Sequence, residues 1–240
     1  MGGIGGVGGM SARARKPKLF ATEADLCAAF IAHHEQHGFV AYAETCGFDI
    51  LLVRQADGVQ FGVQAKLKLN AKVLDQLLPD DYQQTGPDHR VILVPDSGGI
   101  ERICEALGFI LQIPYGRHHA FNELCSRWRA APYDWNPVKR CKLPDYVPDV
   151  VAGDSGPIQL TPWKVSALRV IAHIETRGEI TRKQIKEIGC DPARWCQHWL
   201  KPSTNPGAYV IGERMPRFDH QHPRVYAEIR GKGPALELVG

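Results

Sequence analysis

Residues 39–67 read FVAYAETCGFDILLVRQADGVQFGVQAKL, and the fold follows outward from them. Three apolar runs, Phe39 to Ala43, Asp49 to Arg54 and Gln60 to Leu67, are separated by short polar breaks. The second break, Gln55-Ala56-Asp57-Gly58, carries the Asp-Gly pair that favours a tight hairpin because both residues tolerate positive φ. The stretch therefore predicts a three-stranded antiparallel meander. Alternation along the third run places Gln64 and Lys66 on one face, two residues apart. Asp49 opens the second run, and the hairpin brings it toward that pair if the register cooperates. Polar side chains set between Val63, Ala65 and Leu67 are costly on a central strand unless their face meets water, metal or substrate.

Upstream, Thr22 followed by Asp25 reads as a helix start. Leu26, Ala29, Phe30 and His33 recur at helical spacing until His37-Gly38, which predicts a helix over 22–37. Downstream, a helix fits Lys72 to Leu78, a strand Arg90 to Val94, a helix Gly99 to Leu107 and a strand Phe109 to Ile113. The order is α-β-β-β-α-β-α-β. Residues 1–19 are Gly-rich and then basic, cannot bury a core, and read as a disordered tail. Residues 114–159 interleave Pro with aromatics; apart from a short helix expected at 120–130, the stretch 121–159 reads as a linker packing on a neighbour. The cluster Gly153-Asp154-Ser155-Gly156-Pro157 marks the expected boundary between a domain over 20–120 and another over 160–240.

The net charge of +3 is unevenly spread. Residues 1–20 carry four basic residues and no acids, residues 21–159 carry 12 basic and 18 acidic, and residues 160–240 carry 13 basic and 8 acidic. An acidic middle suits divalent-cation chemistry and a basic end suits phosphates, although uneven solvated surface produces the same numbers. No window approaches the length of a membrane span, and the start lacks the apolar core of a signal peptide, so the expected location is cytoplasmic, with no membrane partner. The 7 cysteines follow no regular spacing and fit free thiols in a reducing compartment. Cys190, Cys196, His198, His220 and His222 match no zinc-knuckle spacing. His33 and His37 share a helix face, but no acid with HExxH spacing accompanies them.

Hydrolysis of a phosphodiester needs charge neutralised on the phosphate and an activated water, which Mg²⁺ or Mn²⁺ supplies when carboxylates and carbonyls hold it. Here Gly47-Phe48-Asp49-Ile50, followed by Val63-Gln64-Ala65-Lys66-Leu67, resembles the D-(x)n-(D/E)xK signature of the PD-(D/E)XK nuclease superfamily. The Gln64 form is similar to the QxK variant of the Mrr-like restriction endonucleases, whose Gln amide oxygen can still ligate metal. The resemblance covers about 100 of the 240 residues, and the surrounding α-β-β-β-α-β order gives the short motif its weight. It implies Asp49 as a metal-bridging carboxylate, the Gln64 side chain and the Ala65 carbonyl as ligands, and Lys66 as the group that orients water or stabilises the reacting phosphate. Glu23 matches the additional acid that many members carry on the first helix, with Asp25 behind it. Lys68, Asn70 and Gln76 resemble positions that touch DNA phosphates. Singly, each residue also has an ordinary explanation: Asp49 as a strand-entry cap, Lys66 as a snorkelling lysine, Glu23 as a helix-start acid.

From Thr161 the pattern changes. Helices are expected from Pro162 to about Arg177, from Thr181 (whose Gln184 completes a capping box), and from Pro192 behind Asp191. Two strand-like runs follow, Tyr209 to Arg214 and Arg224 to Ile229. Three helices and a hairpin are the order of a winged helix-turn-helix. In that arrangement Arg194, Gln197 and His198 face DNA while Trp195 and Trp199 pack inward or flank the phosphate backbone. Arg182, Lys183 and Lys186 reach phosphates, and the wing carries Arg214, Arg217, His220 and His222. The expected whole is an α/β nuclease core followed by a small α+β winged-helix domain: a Mg²⁺-dependent DNA endonuclease, with a homodimer as one way to cut both strands. The competing reading is a catalytically inactive nuclease-fold protein that binds nucleic acid or regulates, of the phage or defence kind. A small protein-interaction module is the third.

Overall fold

The computed structural model describes residues 19–78, 85–96, 98–99, 101–115, 121–122, 124, 133–154, 156 and 158–232. Residues 1–18 of the tail and residues 120, 123 and 125–130 of the helix expected at 120–130 lie outside the described residues. The chain is a mixed α/β protein. Helix α1 (Glu23–Glu35) is entered through a capping box in which Thr22 and Asp25 exchange side-chain and backbone hydrogen bonds of 3.0 Å. Its buried stripe is Leu26, Cys27, Phe30 and His34, so the helix turns His34 inward where the apolar spacing points to His33.

The meander forms as β1 (Phe39–Thr45), β2 (Phe48–Arg54) and β3 (Gln60–Ala65), antiparallel throughout. Helix α2 (Ala71–Leu77) follows. After a two-residue β4 (Thr85–Gly86) come β5 (His89–Leu93), helix α3 (Glu101–Ala106) and β6 (Ile110–Gln112). The five-stranded sheet runs β1-β2-β3-β5-β6, with β5 parallel to β3 and β6 parallel to β5. Parallel neighbours need a crossover, and α2 and α3 supply the two. Register aligns one apolar row across the sheet: Ala43, Ile50, Val63, Val91 and Ile110. That row belongs to the cluster beneath α1. Residues of opposite parity, such as Leu51 and Ile92, join the cluster with Val73 and Leu77 of α2 and Cys104 of α3.

The Pro- and aromatic-rich stretch is built into the fold on both sides. Its β7 (Lys139–Arg140) pairs in parallel with β4, and Gln60 Nε2 donates to the Cys141 carbonyl at 2.9 Å. Trp135 stacks on Phe109, ring centroids 5.8 Å apart, and lies under the buried Arg90 guanidinium at 4.9 Å. Further on, Tyr146 belongs to the C-terminal cluster.

That cluster is organised by α4 (Pro162–Arg177), capped by Thr161, followed by β8 (Ile180–Thr181), α5 (Arg182–Glu187), α6 (Pro192–His198), β9 (Leu200–Pro202) and β10 (Ala208–Ile211). These three strands form an antiparallel sheet with β10 in the middle. The last described elements are α7 (Phe218–Gln221) and α8 (Pro223–Gly231). The run 224–229 is therefore helical and not a strand. Val225 and Ile229, four residues apart, are both buried on one helix face, and Pro223 occupies the first turn, where its missing N–H costs nothing. The hairpin partner of 209–211 is β9, before it in sequence, and the hairpin loop is 203–207. Arg214, Arg217, His220 and His222 thus lie beyond the hairpin: Arg217 bonds Asp219 at 2.7 and 3.1 Å, and His222 is fully buried.

Candidate active site

The hairpin register that pairs Ile50 with Val63 sets Asp49 across from Gln64 where β2 begins and β3 ends. The Asp49 carboxylate accepts the Ala65 N–H at 2.8 Å and also a hydrogen bond from the Gln64 side chain. Lys66, one residue past β3, has its own N–H bonded to the Leu93 carbonyl at 3.0 Å, so the parallel neighbour strand fixes where its side chain departs. Its ammonium lies 2.8 Å from Glu23 Oε2 and 3.9 Å from Asp49 Oδ2. Residues 43 positions apart therefore meet through α1 packing over the sheet. Glu23, Asp49, Gln64 and Lys66 are brought together; Asp25 is held in the capping box instead.

Electrostatics follow from partial burial. Burial pushes the Asp49 carboxyl above its ordinary pKa, and Glu23 adds to the rise; the Ala65 N–H, Lys66 and Gln64 oppose it without cancelling it. Burial alone would lower the pKa of Lys66. The Glu23 hydrogen bond and the charges of Asp49 and Glu23 more than reverse that, so the ammonium stays protonated above its usual range.

Gln64 is 5% exposed, and its Oε1 has no hydrogen-bond partner. A buried amide oxygen without a donor is costly, and a cation is one group that would satisfy it. Among the described residues no group of three or more His, Cys, Asp or Glu is placed to hold a metal ion. The Asp49 carboxylate, the Gln64 carboxamide oxygen and the Ala65 backbone carbonyl are hard oxygen donors of the kind that Mg²⁺ or Mn²⁺ takes. The residues present fit such an ion.

One acid of this neighbourhood is not evident from the sequence. Glu44, in β1, feels both Asp49 and Lys66, and burial holds its carboxyl above the ordinary pKa. The available signal is the turn Cys46-Gly47: both residues have positive φ, 55° and 81°, as a two-residue hairpin requires. That turn length pairs Thr45 with Phe48 and Ala43 with Ile50, and Glu44, at positive φ, and Asp49 lie between those two pairs.

The other sequence candidates lie elsewhere. Lys68 and Gln76 are exposed beyond β3, while Asn70 caps α2 by accepting the Val73 N–H at 3.2 Å. In the C-terminal unit Arg182, Lys183, Lys186, Arg194, Gln197 and His198 lie at least partly open to solvent, and Trp195 is fully buried. The Arg194 guanidinium sits 5.3 Å from the Trp199 ring and 5.8 Å from that of Trp163, which holds its long side chain against one wall. Among the described residues no helix is long and apolar enough to cross a membrane. No protein-family model, no curated protein and no solved structure matches this chain.

Proposed function

We propose that this protein is a divalent-metal-dependent DNA endonuclease of the PD-(D/E)XK kind, directed to DNA by a winged-helix unit. The observation that carries the reading is the meeting of Glu23, Asp49, Gln64 and Lys66 at the ends of β2 and β3, with Lys66 bonded to Glu23 and near Asp49. The element order, with α1 before the meander and α2 between β3 and β5, supports the resemblance to that superfamily's α-β-β-β-α-β order. For the C-terminal unit, the order α4-β8-α5-α6-β9-β10 with β10 between β8 and β9 supports a winged helix whose wing is 203–207.

The Asp49 carboxylate, the Gln64 amide oxygen and the Ala65 carbonyl are the groups that would hold Mg²⁺ or Mn²⁺. When bound, the ion neutralises the scissile phosphate and lowers the pKa of a water. Lys66, kept protonated, serves as a donor and not as a base. Glu23 engages one of its three N–H groups, and the others remain to stabilise charge on the phosphate or to orient the attacking water.

The test is cleavage of supercoiled plasmid and single-stranded DNA with Mg²⁺, Mn²⁺ or EDTA, comparing wild type with Lys66→Ala. Metal-dependent nicking lost in the variant supports the enzyme and its site together. DNA binding without cutting favours the second reading, a nuclease-fold binder without turnover, whose supporting observation is the carboxamide of Gln64 where the signature has an acid.

A further inference from the structure

Glu44 stands in a backbone conformation that its residue type disfavours. Its φ is 49°, inside β1, where a non-Gly residue in the left-handed region is strained. The carboxylate accepts the Gly153 N–H at 2.8 Å. Gly153, itself at φ 74°, is wedged against α1: a Cβ there would lie 3.0 Å from Cys27 Sγ and 3.2 Å from the Glu23 backbone. A closed circuit results. Asp49 holds the end of β3, Lys66 joins Asp49 to Glu23, the Glu23 backbone meets Gly153, and Gly153 returns to Glu44, which stands level with Asp49 between the pairs Ala43–Ile50 and Thr45–Phe48. Three carboxylates then share the neighbourhood of one lysine, leaving the circuit short of positive charge. Independently, the Gln64 amide oxygen, more than nine-tenths buried beside Asp49, has no donor.

We infer that Glu44 is a further acid of this site, accepting hydrogen bonds from the water shell of a divalent cation held by Asp49 and Gln64. The inference rests on the cation reading proposed above. Mg²⁺ keeps several of its waters when protein-bound, so an acid one shell out contributes without being a ligand.

The experiment is calorimetric titration of the full chain with Mn²⁺ or Ca²⁺ alone, without DNA, so that turnover plays no part. Glu44→Asp and Glu44→Asn are compared with wild type and with Asp49→Asn. Asp and Asn both tolerate the left-handed conformation and differ here only in charge, and melting curves monitor the fold of each. Removing a charge-assisted hydrogen bond weakens binding by about tenfold, so Glu44→Asn is expected to bind about that much more weakly than Glu44→Asp. Equal affinities for the two, with binding lost in Asp49→Asn, overturn the role of Glu44 and leave the cation site standing. A wild type that takes up neither ion overturns both.

Discussion

Asp49 is a carboxylate in a place that disfavours its ionisation. Its folded-state pKa stands above the ordinary aspartate value, so its contribution to stability is present below that value and is lost as pH rises through the folded one. In EDTA at neutral pH, Asp49→Asn is expected to melt at a higher temperature than wild type, since an Asn oxygen still accepts the Ala65 N–H. The gap should close as pH falls below about 3.9, the ordinary aspartate pKa. A wild type that is the more stable of the two at neutral pH, without divalent ion, would contradict a raised Asp49 pKa. Lys66 gives the complementary case. Its raised pKa rules it out as a neutral-pH base, so Lys66→Met is expected to lose cleavage by about 10²-fold or more while keeping DNA affinity within about twofold. The same residues show what was legible. Asp49, Gln64 and Lys66 stand out in the sequence because polar groups on an apolar hairpin break a strong pattern, and Glu23 through its place on the first helix. Glu44 breaks no pattern, since strand β1 is half-exposed and a glutamate there is ordinary until its φ and its partner Gly153, 109 residues away, are seen.

At the level of elements, two close approaches organise what the periodicity leaves open. Gly62 of β3 has the Phe48 ring lying over it, and an added Cβ would sit 2.6 to 2.8 Å from three ring atoms. Gly62→Ala is therefore expected to cost about 1–3 kcal/mol by overpacking. Denaturant titration in a Phe48→Leu background should show a smaller cost; an equal cost there would show that the ring is not the obstacle. Helix α8 is the second case. Residues 224–229 contain Val, Tyr and Ile, which favour strands, and His222 before them provides no side-chain cap. The helix is capped from afar, Asp149 accepting the Val225 N–H at 3.0 Å and pairing with Arg224. No local window contains that partner, which is why the residues alone read as a strand and make 224–229 the second arm of a hairpin. Asp149→Ala should uncap α8 and cost about 0.5–2 kcal/mol, read as a lower denaturation midpoint with an unchanged slope.

Across the whole molecule, chemistry and charge are segregated. The sheet unit carries the carboxylates Glu23, Glu44 and Asp49 and the C-terminal unit the basic excess, and residues 133–154 pack on both, from Trp135 under Arg90 to Tyr146 in the distal core. A polyanion is attracted to the second and repelled by the bare carboxylates of the first, so under the proposed function the basic unit is expected to govern DNA affinity and the acidic site cleavage. Arg182, Lys183 and Lys186 are all exposed on α5, with Lys183 held only loosely, 3.8 Å from Glu187. Their joint replacement by Gln is expected to weaken duplex binding at every sequence tested. The slope of log affinity against log salt should become shallower by about 0.9 for each phosphate no longer neutralised. Arg194→Ala, by contrast, removes a guanidinium braced on Trp163 and Trp199 at the outer side of α6, and its expected effect is loss of discrimination between sequences by about 1–3 kcal/mol with a smaller change in slope. If the triple variant keeps the wild-type slope, phosphate binding belongs elsewhere, and the exposed Lys68 and Gln76 become the next positions to replace.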